Sequence, residues 1–385
     1  MNIAAVPGQA PAPLTVLQLL PELQVGGVEQ GTIEIASALV RAGHRALVVS
    51  AGGRMVPALE ATGAHHVAMS IGRKRLPTLL LARRLRELCE REGVDIVHAR
   101  SRLPAWIGHL ALRGIPAERR PRWVTTVHGP YTVNRYSRIM VSGERVIAIS
   151  EFIHHYIRRG YPDVDPGRIT VIPRGVDRLR YPRDYAPPPA WRDEWQQSHP
   201  ELARRQALVL PGRLTRWKGQ EDFIRLVAKL VGRGLPVHGL LAGGAHPRKR
   251  AFERELHKLV AELEIEPAVS FLGNRGDLRE ILSVSACAFS LTGEPEAFGR
   301  TTIEALSLGV PVIGYDHGGT GEILRSIFPA GVVPVGDIDA AAERCAAFLQ
   351  QRPPLPVIHP YTVERMQTAT LAVYAELAAS SRQRA

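Results

Sequence analysis

Pro295-Glu296-Ala297-Phe298-Gly299-Arg300-Thr301-Thr302-Ile303-Glu304-Ala305-Leu306-Ser307-Leu308-Gly309-Val310-Pro311-Val312-Ile313 is the stretch whose reading decides the fold. The apolar run at 286–291 that leads into it reads as a strand. Gly299 opens a turn into an amphipathic helix, and 310–313 is a following strand. Strand, helix and strand in that order make the crossover unit of a parallel sheet.

Outward from this segment the same alternation runs along the chain. Further strands are expected at 207–210, 237–241, 269–272 and near 332–335. In the first half they fall at 14–20, 45–50, 95–98, 123–127, 145–149 and 169–172, with helices between them such as 28–41 and 78–91. Between 181 and 200 the pattern lapses into proline and tryptophan, including Pro187-Pro188-Pro189, and reads as a junction. The 385 residues also exceed the ordinary size of one hydrophobic core. Two doubly wound α/β lobes are therefore expected, at 1–180 and 206–360, joined by a linker at 181–205 and followed by a terminal helix within 361–385. Such folds bind ligands at the carboxyl ends of their strands, which places the expected site in a cleft faced by both lobes.

Composition is ordinary for a globular protein, 45% apolar and 22% charged. Cys89, Cys287 and Cys345 are odd in number, lack metal-ligand spacing and sit in apolar or helical stretches, so reduced core thiols are expected. Residues 1–13 have neither the basic start nor the apolar core of a signal peptide, and no run reaches the ~20 apolar residues that cross a bilayer. A cytoplasmic protein is expected. The net charge of +12 is unevenly placed. Residues 1–180 hold 25 Lys/Arg against 14 Asp/Glu, an excess of +11; residues 181–385 hold 24 against 23, an excess of +1. Arg73-Lys74-Arg75, Arg83-Arg84-Arg86, Arg119-Arg120-Arg122 and Arg158-Arg159 are each ordinary solvated faces. Together they imply a polyanionic surface or a phosphorylated partner, with anionic membrane and nucleic acid as the candidates.

The helix start at Gly299 offers free backbone N–H groups and the positive end of a dipole to an anion, with the hydroxyls of Thr301 and Thr302 beside them. Glu296 precedes that start and Glu304 lies about a turn inside it, at most roughly 12 Å away at helical rise. That reach suits a diphosphate held between two polyols, since each carboxylate accepts two hydroxyl hydrogen bonds. Taken singly, Glu296 is a loop carboxylate and Glu304 a helix-surface charge. Upstream, Arg213 and Lys218 stand on the turn after the second lobe's first strand, where Gly212 and Gly219 permit close backbone approach. As a planar fork and a point charge they can converge on one phosphate; two exposed basic residues in a loop is the competing reading.

In combination, Gly212-Arg213-Leu214 with Lys218-Gly219, Glu296-x7-Glu304, Gly318-Gly319-x2-Glu322 and Arg174-Gly175-Val176-Asp177 resemble the large retaining glycosyltransferase family 4. Its GT-B fold has two Rossmann-like lobes facing a central cleft. The likeness covers most of the chain and is densest over 174–322. The wordings at 295–301 and 172–177 are further similar to lipopolysaccharide core sugar transferases. By position, the resemblance implies that Arg213 and Lys218 hold the donor diphosphate and stabilise its charge as it leaves. It implies that Glu296 binds hydroxyls of the transferred sugar, with Phe298, Gly299, Arg300 and Thr301 beside it, and that Glu304 binds the ribose. In the first lobe, Gly26 and Gly27 of Val25-Gly26-Gly27-Val28 match the family's glycine loop near diphosphate and acceptor, and His128 matches its histidine near the transferred sugar. Alone, the two glycines are a turn and His128 a strand cap. Gly318-Gly319 with Glu322, and Gly243-Gly244, are expected to line the nucleotide side. His246-Pro247-Arg248-Lys249-Arg250 is either a phosphate contact or a solvated basic loop. The terminal helix is expected to pack back on the first lobe.

The implied activity is transfer of a sugar from a nucleoside diphosphate sugar, with retention of anomeric configuration and with the departing phosphate oxygen taking the acceptor's proton. Two cations and a helix start can neutralise that oxygen, and no Asp-x-Asp triplet of the sort that holds a divalent ion is read in the chain, so no metal and no further cofactor is expected. The expected partners are the donor, a glycolipid or saccharide acceptor of lipopolysaccharide or cell-surface glycan synthesis, and an anionic membrane met by the basic first lobe. A peripheral place on the inner face of the cytoplasmic membrane would follow. Nucleic acid is not expected, because no aromatic interleaving or binding motif accompanies the basic half. An oxidoreductase shares the doubly wound lobes, but no Gly-x-Gly-x-x-Gly follows the first strand. A non-catalytic nucleotide-sugar binder stays open.

Overall fold

A computed structural model describes residues 12–24, 26–72, 77–245, 250–355, 357 and 359–382. Outside the described residues lie 1–11, Val25 of the glycine loop, the cluster Arg73-Lys74-Arg75 and 246–249 of the basic loop. The chain divides into two compact units. The first comprises Met1–Ala148, His154–Ile172 and Gln367–Ala385; the second comprises Ile149–Ile153 and Pro173–Met366.

In the first unit the strands are β1 (Thr15–Leu19), β2 (Arg45–Ser50), β3 (His65–Ala68), β4 (Ile96–Ala99), β5 (Arg122–Val127), β6 (Arg145–Ala148) and β7 (Ile169–Val171). They pair in the order β3-β2-β1-β4-β5-β6-β7, all parallel. Central β1 is buried along its whole length, which is why its sequence, Thr-Val-Leu-Gln-Leu, does not alternate. Its one amide, Gln18, is fully buried and satisfied: Nε2 donates to the Thr32 carbonyl at 3.1 Å and Oε1 accepts from Arg100 at 2.8 Å. Edge strand β3 has no counterpart in the sequence reading. Both of its ends are exposed and it carries one β-branched residue, so it lacks the apolar run that betrays an inner strand.

The second unit holds β8 (Gln206–Pro211), β9 (Val237–Ala242), β10 (Val269–Phe271), β11 (Cys287–Ser290), β12 (Val312–Tyr315) and β13 (Val332–Val333), ordered β10-β9-β8-β11-β12-β13 and parallel throughout. This is the doubly wound order, and its direction reverses between β8 and β11, the switch point where such sheets bind ligands. Cys89, Cys287 and Cys345 are buried free thiols.

One segment departs from expectation. Residues 181–205, read as a linker, belong to the second unit, and Pro189–Ser198 is a helix. Proline at a first helical position is no breaker, because the N–H it lacks has no partner there anyway. Trp191 and Trp195, four residues apart, stack on one face with centroids 5.1 Å apart. The terminal helix, Val363–Arg382, is counted with the first unit from Gln367 onward. There Gln367 donates to the Glu34 carbonyl at 2.8 Å and accepts from Arg41 at 2.8 Å. The Tyr374 hydroxyl meets His98 Nδ1 at 2.6 Å, while His98 Nε2 meets Thr126 at 2.6 Å. Arg122 donates to Leu377 and Ser380. Polar contacts therefore fasten this helix to the first sheet.

Candidate functional site

Four adjacent strands of the second unit, β9, β8, β11 and β12, carry candidate residues at their carboxyl ends. After β8, the N–H of Gly212 donates to Ala242 at 3.0 Å and that of Leu214 to Gly244 at 3.2 Å, which fixes the turn against the end of β9. Gly243 is held there by packing: a Cβ on it would stand 1.9 Å from the Gly212 carbonyl oxygen. The turn closes at Gly219, whose φ is 78° and where a Cβ would lie 1.9 Å from the carbonyl oxygen of Leu291, so only glycine fits. Gly219 in turn opens the helix Gln220–Gly232.

This geometry aims Lys218 at the end of β11, where its ammonium forms an ion pair with Glu296. Both side chains are largely shielded, at 18% and 14% exposure, and the ammonium also lies 4.4 Å from the Trp217 ring centroid. Arg213 is exposed and makes no ion pair among the described residues. The expected convergence of Arg213 and Lys218 on one point therefore takes a different form: Lys218 is committed to the Glu296 carboxylate, and Arg213 stands in solvent.

Glu296 is held from behind. Its carbonyl accepts from Gly319 N–H at 2.7 Å, and its second carboxylate oxygen accepts from the Thr320 hydroxyl at 3.4 Å. Gly299, left-handed at φ 92°, caps the helix Arg300–Ser307. Phe298 is buried and meets Tyr361 edge-on with centroids 5.8 Å apart, while Thr301 is half-buried. Glu304 is not the helix-surface charge that its sequence position allows; it is buried, and it accepts from Arg300 at 3.1 Å. Nearby Tyr181 is pushed up to about 12, chiefly by burial and then by the negative charge of Glu304. Among the described residues, the buried oxygens Thr215 Oγ1, Gln220 Oε1 and Thr302 Oγ1 have no hydrogen-bond partner. They are three of the unmet buried atoms of the molecule, and they lie on the segments that carry the candidates, where a ligand or water can meet them.

Several motif residues have structural employment. Glu322, expected beside the nucleotide, instead accepts the N–H groups of Glu151 at 3.1 Å and Phe152 at 3.0 Å, which satisfies a helix start in the 149–153 segment of the same unit. Ser150 donates to the Ala297 carbonyl at 2.6 Å and so buttresses the Glu296 turn, a contact with no local sequence signal. Val176 bridges Thr362, and Arg174 donates to Met366 at 3.5 Å. The reading that the chain has no Asp-x-Asp triplet is corrected: it has two, at 163–165 and 337–339. Asp163 pairs with Arg138, Asp165 caps a turn at Gly167 (2.9 Å), Asp337 caps the helix Ile338–Gln350 at Ala340 (2.8 Å), and Asp339 pairs with Lys229 at 2.7 Å. All four carboxylates are thus occupied with the fold. Among the described residues no three His, Cys, Asp or Glu side chains gather to hold a metal.

In the first unit, Gly26 and Gly27 are exposed at the start of the helix Gly27–Arg41, beyond β1, and His128 is half-buried directly after β5. Strand β4 lies between those two strands, so both candidates belong to the carboxyl edge of one sheet. A Cβ on Gly27 would meet nothing within 4 Å. Among the described residues no helix is long and apolar enough to cross a membrane.

Comparison with known proteins agrees with this geometry. The family model Glycosyltransferase Family 4 matches residues 25–180, and Glycosyl transferases group 1 matches 192–361. N-acetyl-alpha-D-glucosaminyl L-malate synthase of Bacillus anthracis is 27% identical over 283 residues, 71% of this chain and 70% of that protein. The crystal structure of a glycosyltransferase from Rickettsia africae superposes with a TM-score of 0.84 at 28% identity, covering 95% of this chain and 99% of that one. Anabaena HepE, solved in complex with UDP-glucose, shares the fold with a TM-score of 0.73 at 21% identity over 96% and 98% of the two chains. Doubly wound sheets in both units, the two family models and relatives of the same kind lead to one assignment: the chain belongs to the glycosyltransferases of family 4, with the GT-B fold.

Proposed function

We propose that this glycosyltransferase takes a sugar from a nucleoside diphosphate carrier, with retention and without a metal, and places it on a lipid-linked or saccharide acceptor of cell-surface glycan synthesis. The observation that carries the reading is the shielded Lys218–Glu296 pair beside the start of the helix Arg300–Ser307. A diphosphate entering there shares the Lys218 ammonium with Arg213 and the helix N–H groups, and the leaving oxygen is neutralised as it departs. Sharing the ammonium frees Glu296 to accept sugar hydroxyls. Glu304, buried one turn into the same helix, is suited to the ribose diol. Gly26, Gly27 and His128 are assigned to the acceptor-side unit.

The acceptor is read from this chain's own surface, since the name of the Bacillus relative puts its sugar on L-malate. In the first unit Leu80 is 74% exposed on the same helix as exposed Arg83 and Arg84, and Arg119, Arg120, Arg158 and Arg159 are also exposed. Apolar and basic groups together suit an anionic membrane that presents a lipid-linked acceptor. The likeness of residues 295–301 to lipopolysaccharide core transferases points the same way.

The test is a screen of UDP-, GDP- and ADP-linked sugars for slow hydrolysis by the purified protein, with UDP-glucose first because the HepE complex contains it. At least one donor should be cleaved, at a rate indifferent to EDTA, and Lys218→Ala or Glu296→Ala should lower that rate by about 100-fold or more. If no donor is bound or cleaved, the reading fails; if EDTA abolishes cleavage, its metal-free part does. Salt-sensitive co-sedimentation with anionic vesicles, absent with neutral ones, tests the membrane part.

A further inference from the structure

The second unit contains a cavity of about 730 Å³ lined by the first residues of β8 and by Ser283 to Ala286, directly before β11. It lies at the amino-terminal edge of the sheet, whereas the candidate donor residues stand at the carboxyl edge. The six residues of β8 separate the two edges by roughly 20 Å.

Its chemistry is specific. The lining includes Arg192, Arg205, Arg352 and His199 and, among the described residues, no Asp or Glu. Arg205 donates to the Pro267 carbonyl and Arg352 to that of Gly309, contacts that leave their charge intact. None of the three arginines has an ion pair among the described residues. Neighbouring Arg275 and Arg279, in contrast, are neutralised by Asp277 at 2.6 Å and Glu280 at 2.7 Å. Of the carboxylates close to the lining, Glu201 lies 3.1 Å from His199, and Asp277, 2.7 Å from the Trp191 N–H, is already paired with Arg275.

One wall is aromatic and rigid. Trp191 and Trp195 stack with 12° between their planes, the Trp191 N–H donates to Asp277 at 2.7 Å, and His199 covers Trp195 at a centroid distance of 4.1 Å. Trp195 is buried, while Trp191 is half-buried and retains ring surface. Three uncompensated guanidiniums beside a fixed indole face suit an anion attached to a flat or ring-shaped body, in a volume typical of small-molecule sites.

We propose that this cavity binds a phosphate monoester carried on a ring, whether a sugar phosphate or a nucleoside monophosphate, as a site separate from that of the donor. The test titrates the full-length protein with glucose 1-phosphate, UMP and inorganic phosphate, read by calorimetry and by tryptophan fluorescence. The variants are Lys218→Ala, Arg192→Gln with Arg205→Gln, and Trp191→Leu. At least one ring-borne phosphate should bind the wild type and Lys218→Ala within about twofold of each other. It should bind at least about 10-fold more weakly to the double arginine variant and to Trp191→Leu, and inorganic phosphate should be weaker by a similar factor. Whichever of glucose 1-phosphate and UMP binds more tightly identifies the ring. The proposal is overturned if no probe binds at millimolar concentration, if Lys218→Ala abolishes binding, or if the arginine variants bind as the wild type does. Arg192 is exposed, so Arg192→Glu alone keeps the test valid should the double variant unfold, and about a threefold loss of affinity is then the expected minimum.

Discussion

Replacing Lys218 by Met removes the ammonium from a shielded ion pair and leaves the Glu296 carboxylate facing an aliphatic chain. Contact between unit charges at an effective dielectric of about 20 gives about 4 kcal/mol of attraction. Desolvation and side-chain ordering cancel part of it, and the residual exposures of 18% and 14% put the pair between surface bridges, at ~0–1 kcal/mol, and fully buried ones, at ~3–5 kcal/mol when broken. A stability loss of about 1–2 kcal/mol is expected. For a unit of this size that lowers Tm by roughly 2–8 °C. Glu296→Gln keeps the shape without the charge, so the double variant should recover part of the loss, with a coupling of about 1–2 kcal/mol in the thermodynamic cycle. Donor cleavage should behave differently. On the proposed function Lys218 neutralises the leaving phosphate, and it is absent from both the single and the double variant, so both should lose about 100- to 1,000-fold in turnover. Thermal unfolding and single-turnover donor hydrolysis on the four proteins give both numbers. Stability and turnover that recover together in the double variant would refute the reasoning, since Lys218 would then serve only to hold Glu296 in place.

Tyr374→Phe removes the hydroxyl that meets His98 Nδ1 inside the first unit and should cost about 1–2 kcal/mol in urea unfolding, with the weakened hydrogen-exchange protection confined to that unit. His238 is 2% exposed, and burial holds its imidazole below the ordinary value against the opposing pull of Glu201. The unfolded chain then binds the extra proton first, so stability should fall as pH drops below about 6.5 and level off beneath the folded value; urea midpoints from pH 5 to 8 should lose that limb in His238→Gln. Gly319→Ala places a Cβ 2.3 Å from the Phe298 backbone and should destabilise by about 2 kcal/mol or more, whereas Gly27→Ala should melt at or above the wild-type temperature and still bind donor or acceptor less tightly.

Strand positions were legible because parallel strands buried on both faces are written as short apolar runs, as in 45–50 and 237–241. Strand β3 was not legible, since an edge strand with exposed ends needs no such run. The Pro-Trp segment misled for a related reason: the same residues serve a junction or a helix that begins on proline, and only the packing of Trp195 decides. At the site, the turns were legible and the charge partners were not. Gly219 and Gly299 announce where the chain must bend, but Lys218 and Glu296 are 78 positions apart, and nothing local says that they meet. Glu322 shows the opposite failure. Its spacing from Gly319 fits the nucleotide pattern, yet its carboxylate is consumed by the backbone N–H groups of Glu151 and Phe152.

The glycines divide along the same line between local and tertiary demands. Gly219, Gly243 and Gly319 are each pressed against a carbonyl or Cα of another segment of the second unit, so the fold alone accounts for their lack of a side chain. Gly27 touches nothing that a Cβ would meet, and Gly26 would meet only the flexible end of Glu29. At a helix start, where alanine is the better helix former, a bare pair of this kind weakens the fold without relieving any clash. The proposed function supplies a reason for it: the phosphate of a donor or acceptor that approaches the backbone closely at free N–H groups. Motif matching treats all of these glycines alike. The sign of the stability change on substitution separates them: negative where the protein itself fills the space, zero or positive where the space is kept for a ligand.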